Sequence, residues 1–150
     1  MLDYIGDFGP HILIFLILLY SFLYSFSIIS IIYYIFGIIF IYLSNNLLKY
    51  YIKQPRPTHQ KFLFNFEKKH YNLHYSQKYG MPSGHSQLIW FNVIYIGCIL
   101  KNLYFFILSL ALALNTMRQR FVYRNHTMNQ IIIGSILGIC FGYIFYLIIE

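Results

Sequence analysis

Residues 10–53 read PHILIFLILLYSFLYSFSIISIIYYIFGIIFIYLSNNLLKYYIK, and Lys49 and Lys53 are the only charged side chains among them. As one helix this run would extend roughly 66 Å at about 1.5 Å per residue, over twice the ~30 Å hydrocarbon core of a bilayer. Two antiparallel helices fit instead, over about 10–27 and 31–53, turning near the serines of Ser25-Phe26-Ser27-Ile28-Ile29-Ser30. Pro55 and Pro57 stop the second, because proline lacks an amide hydrogen and biases its predecessor away from helix.

The rest of the chain agrees. Its 150 residues are enough for one domain, and 59% are hydrophobic while only 10% are charged. Soluble domains carry roughly a quarter charged residues, so this chain cannot cover a water-facing surface. The expectation is an all-α, polytopic membrane bundle. Beyond a polar, basic segment at 58–80, further helices are expected at about 83–100, 103–117 and 127–149. Gly134, Gly138 and Gly142 recur every fourth residue in the last, a small-residue ridge that lets membrane helices approach closely. Before the first helix, Met1 to Pro10 hold Asp3 and Asp7 but no basic residue, unlike a cleaved signal peptide, so the first apolar run is expected to stay as an anchor. Cys98 and Cys140 fall in apolar runs, which argues against a disulfide framework or zinc site.

The formal net charge is +7, yet the 11 Lys and Arg do not make a basic face of the kind nucleic acid needs. They concentrate in Lys49–Lys78 and Arg118–Arg124. Counting five crossings puts the connecting segments 54–82 and 118–126 on one side of the membrane, able to converge on one anion.

Three clusters then stand out: Lys49 with Arg56-Pro57, Pro82-Ser83-Gly84-His85, and Arg120 with His126 and Gln130. Singly, each has a plain structural reading. Lys49 can snorkel at a helix end, Ser83 can cap a helix, and the arginines and His126 can be interfacial. Together, at helix ends on one side, they match the needs of phosphoryl transfer, in which cations and oriented donors surround the equatorial oxygens. Lys49, Arg56 and Arg120 supply charge, and Ser83 a hydroxyl. The amides of Gly84 and His85 open a helix N-terminus, where an anion binds well. No Asp or Glu lies near these clusters to hold a divalent metal, so neither metal nor other cofactor is expected. His126 is the candidate nucleophile, forming a phosphohistidine, and His85 the candidate general acid and base. Gln130, at i+4 from His126, is placed to accept from the second imidazole nitrogen and set the tautomer.

Lys49–Pro57, Pro82–His85 and Arg120–His126 resemble the three-part signature of the type 2 phosphatidic acid phosphatase superfamily, over about residues 31–145. That resemblance implies a metal-free membrane phosphatase with these same residues in these roles. Two positions depart from the pattern: Gln119 stands where the family usually has Ser, and Gln130 where it usually has an acid. Tyr79–Gln87 with Trp90-Phe91, and His126-Thr127 followed by Gln130, are similar to the dolichyl diphosphatase branch. The implied substrate is a lipid phosphate or diphosphate in the bilayer, foremost a polyisoprenyl diphosphate. The alternatives are a phosphatidate-type phosphomonoesterase and a non-catalytic lipid-phosphate binder. Lys and Arg counting puts the active-site loops in the cytoplasm, but phosphate binding demands the same residues, and the branch implies the endoplasmic reticulum lumen.

Three weaker signals complete the reading. His70 and His74 have a spacing that can bind metal, in a loop without a clear helical signal. Phe62, Phe64 and Phe66 interleave with Lys61, Lys68 and Lys69, as in a segment lying among headgroups. Asn45, one turn before Lys49, is expected to orient that lysine.

Overall fold

The computed structural model describes residues 1–23, 27–63 and 78–149. Ser25 and Phe26 of the expected first turn lie outside them, as do Phe64, Phe66, Lys68, Lys69, His70 and His74. Among the described residues five helices follow in order: α1 (Leu2–Leu23), α2 (Ile28–Ile52), α3 (Gly84–Tyr95), α4 (Leu103–Val122) and α5 (Met128–Ile149). A π-helical turn, Ile96–Leu100, continues α3. Helices α1, α2 and α5 are each long and apolar enough to cross a membrane. The fold is an all-α membrane bundle.

Two boundaries differ from the sequence reading for one shared reason. Helix α1 begins at Leu2 rather than near residue 10, and α4 continues to Val122 rather than ending at Met117. The charges that read as loops in each segment are opposite sides of one antiparallel pair. Arg118 Nη2 donates to Asp3 Oδ1 at 2.6 Å, the Tyr123 hydroxyl donates to Asp3 Oδ2 at 3.1 Å, and Arg120 pairs with Asp7. Farther along, the Tyr20 ring lies 5.7 Å from that of Phe105. Gly6 permits the approach, since a Cβ there would stand 2.7 Å from Gln119 Cβ.

The short α3 is the centre, packed upon by the other four helices. Ile89, Phe91 and Val93 are wholly buried, and so are Ser86, Gln87 and Asn92. A buried polar group is costly without a partner, and here each has one. Tyr34 donates to Asn92 Oδ1 at 3.0 Å, Asn45 to Gln87 Oε1 at 2.8 Å, and the Ser86 hydroxyl to Ser83 Oγ at 3.0 Å. The outer face is apolar, with Phe15, Phe22, Phe36, Leu43 and Ile136 exposed. Polar groups inside and hydrocarbon outside suit a bilayer.

The α5 glycine ridge faces α3. A Cβ at Gly134 would come 2.5 Å from the Ser83 carbonyl oxygen, one at Gly138 3.0 Å from Trp90 Cβ, and one at Gly142 2.9 Å from Ile94 Cβ. Overpacking costs about 1–3 kcal/mol, so Gly138→Val should lower the melting temperature in detergent by several degrees. Ile136→Val, on the outer face, should leave it within a degree or so. Equal melting of both variants would show that the helices do not meet at Gly138.

Candidate active site

Two connecting segments are fastened to each other before they hold anything else. Pro55 and Tyr79 form an isolated antiparallel bridge, and Gly80 N donates to Gln54 O at 2.8 Å. The first turn of α5 pins both. Gln130 Nε2 donates to Pro55 O at 2.9 Å and to Gln54 Oε1 at 3.3 Å, while Ser83 N donates to Gln130 O at 3.0 Å. A Cβ at Gly80 would stand 2.7 Å from Gln130 Cδ, so only glycine lets the chain pass so close.

His126 sits in the connection between α4 and α5, where its amide and that of Asn125 both donate to Arg120 O. The imidazole is buried, with Nδ1 2.9 Å from Gly80 O and 3.3 Å from Gln130 Oε1. The amide orientation of Gln130 follows from its partners. Its nitrogen faces Pro55 O, so its oxygen faces His126 and accepts from Thr127 N at 3.1 Å. Two acceptors on Nδ1 require a proton there, which leaves the lone pair on Nε2. Burial above all, then the charges of Arg56, Lys49, Arg120 and His85, push the pKa of His126 well below its ordinary 6.5. The ring is therefore neutral at pH 7.

Lys49, Arg56, Gly84, His85 and His126 line one cavity of about 570 Å³, whose other wall is apolar and includes Ile14, Ile38 and Leu88. Arg56 Nη1 donates to Asn125 O at 3.3 Å, tying the first cluster to the connection that carries His126. Gly84 opens α3, and a Cβ there would stand 3.1 Å from Asn45 Oδ1. The structure thus brings together residues from all three clusters.

Two expected phosphate ligands stand back from this cavity. Ser83 is the N-cap of α3, and its Oγ accepts from Ser86 N at 3.4 Å and from the Ser86 hydroxyl at 3.0 Å. Arg120 is buried against Asp7 of α1. That pair corrects the expectation that no acid lies near the clusters: Asp7 is far from them in sequence and is carried in by the antiparallel packing of α1 on α4. The Asn45 amide nitrogen donates to Pro82 O at 3.3 Å and to Gln87 Oε1 at 2.8 Å, fastening α2 to the turn before α3.

Helix α1 supplies His11 too, which lines the cavity with its ring centroid 6.3 Å from that of His85. The signal for both residues was present, since Asp7 and His11 are an i,i+4 pair running into an apolar helix, where polar side chains are costly. Among the described residues no three His, Cys, Asp or Glu gather as a metal site would require.

Residues 30–150 match the PAP2 superfamily, and the chain belongs to it. It is 33% identical over 127 residues to dolichyldiphosphatase 1 of Dictyostelium discoideum, a match covering 76% of this chain and 50% of that protein. To dolichyldiphosphatase of Saccharomyces cerevisiae it is 37% identical over 115 residues, covering 70% of this chain and 46% of the other. The chain spans about half the length of these curated relatives. No solved structure gives a significant match. Helix α1 precedes the residue-30 start of the family match, apart from which its two polar contributions stand.

Proposed function

We propose that the chain hydrolyses a lipid diphosphate, of the polyisoprenyl kind, to the lipid monophosphate and inorganic phosphate through a phosphohistidine. The observation that carries this is His126, whose Nδ1 is held by Gly80 O and Gln130 Oε1, leaving Nε2 its lone pair, in a cavity that Lys49 and Arg56 also line. Nε2 attacks the terminal phosphorus and forms an N–P bond. The bond from phosphorus to the bridging oxygen breaks, and that oxygen leaves on the lipid monophosphate, receiving a proton from His85. His85 then takes a proton from water as the water oxygen attacks phosphorus. The N–P bond breaks, inorganic phosphate departs and His126 is restored. Lys49, Arg56 and the α3 N-terminus at Gly84 balance the equatorial charge. Ser83 shapes that N-terminus, and Asp7 holds Arg120, whose backbone carbonyl accepts from the His126 amide.

A diphosphate suits the neutral Gln130. Hydrogen bonds to charged groups are roughly twice as strong as neutral ones, so an amide stabilises a developing imidazolium less than a carboxylate would. A good leaving group then matters more, and a lipid phosphate leaves more readily than a lipid alkoxide. The names of the two relatives favour the same substrate, and the resemblance of Tyr79–Gln87 to the dolichyl diphosphatase branch implies an active site on the lumenal side of the endoplasmic reticulum.

Phosphate release by purified protein tests the proposal. The kcat/KM for polyisoprenyl diphosphate should exceed that for phosphatidic acid, and EDTA should leave both unchanged. Preference for phosphatidic acid would replace the proposal by a phosphomonoesterase, and binding without release by a lipid-phosphate binder. Activity abolished by EDTA and restored by magnesium would remove the metal-free mechanism.

A further inference from the structure

We propose that His11 of α1 holds the second phosphate of a diphosphate substrate, the one that leaves on the lipid, and so sets the preference for diphosphate over monophosphate. The inference rests on the proposed diphosphatase reaction and follows from the order of groups along the cavity. At its polar end lie Lys49, Arg56 and His126, where the terminal phosphorus is attacked. His85 comes next in the first turn of α3, and Leu88 lies a turn deeper on the same helix. On α1, Asp7 is level with Arg120, His11 is one turn deeper against the His85 ring, and Ile14 begins the apolar wall.

His11 therefore stands where the charged part of the cavity gives way to hydrocarbon. Adjacent phosphorus atoms of a diphosphate share one oxygen, so the second phosphate lies immediately beyond the bond that His85 protonates. That is the position facing His11. An imidazole N–H is a suitable donor to its oxygens, and an exposed, cavity-lining ring is open to it. A monophosphate has only an alkyl carbon there and gains nothing from the contact.

The experiment compares a polyisoprenyl diphosphate with the corresponding monophosphate on the full chain. His11→Ala should lower kcat/KM for the diphosphate about tenfold, the scale of one hydrogen bond to a charged group, and change that for the monophosphate by less than about twofold. Competitive inhibition by inorganic phosphate, which needs only the terminal subsite, should also stay within about twofold. His11→Gln keeps a donor and should recover part of the loss, whereas His11→Phe keeps ring packing alone and should behave like alanine. Equal losses on both substrates, or rescue by phenylalanine, would show that His11 merely packs against His85 and would overturn the inference. No loss on either substrate would overturn it equally. If the wild type released phosphate from the monophosphate alone, the diphosphatase reading itself would fall, and this inference with it.

Discussion

Replacing His126 by alanine should reduce diphosphate turnover by about a thousandfold or more and abolish any covalent phosphoenzyme, because among the described residues no other side chain is shown with a fixed tautomer and a lone pair at the cationic end. His85→Ala should behave differently. The first step expels a lipid phosphate, which needs little help from an acid, so bond breaking should slow less than water attack does. The variant should lose about a hundredfold in steady state while phosphoenzyme accumulates. Comparable losses with no phosphoenzyme in either variant would merge the two roles and remove the assignment. Circular dichroism and melting of both variants control for misfolding, which matters because His126 is buried.

Gln130→Glu should be nearly as informative, although it preserves side-chain length. One carboxylate oxygen can still accept from Thr127 N and from His126 Nδ1. The other would face Pro55 O and Gln54 Oε1, both acceptors, where the amide now donates. An unsatisfied buried group costs about 1–3 kcal/mol. Here its cost is relieved by movement of segment 54–57, and Arg56 moves with it. The expected loss in kcat/KM is about ten- to a hundredfold. It should shrink as pH falls, because a protonated carboxyl regains a donor toward Pro55 O. Wild-type activity in this variant at neutral pH would show that the amide nitrogen does not hold the segment. This position is an acid in much of the family resemblance, and the carbonyls of Gln54 and Pro55 explain why an amide is compatible here.

Residue types carry much of the fold and the site, and the features they do not carry share a cause. Helices α2 and α5 are apolar over almost their whole length, so hydropathy alone places them. Lys49, Arg56, His85 and His126 stand out because charge and imidazole are rare in such a chain. The start of α1 was hidden because Asp3 and Asp7 look like loop residues until Arg118 and Arg120 lie opposite them. His11 was hidden for the same reason, as a lone histidine gains meaning only when α1 packs beside His85. Ser83 caps α3 and Arg120 pairs with Asp7, engagements that residue type alone does not show. The closer partner of His126, Gly80 O, is a backbone atom, and a carbonyl leaves no mark in residue identity. Its only trace is the glycine itself, required by the approach of Gln130.

The nucleophile can be tested directly by rapid quench of wild-type protein with polyisoprenyl diphosphate labelled in the terminal phosphate, followed by peptide mapping. Enzyme-bound label should appear within the first turnover, survive alkali, be lost in acid and map to His126. Label on another residue, or a full turnover with no bound phosphate at any quench time, would contradict the account.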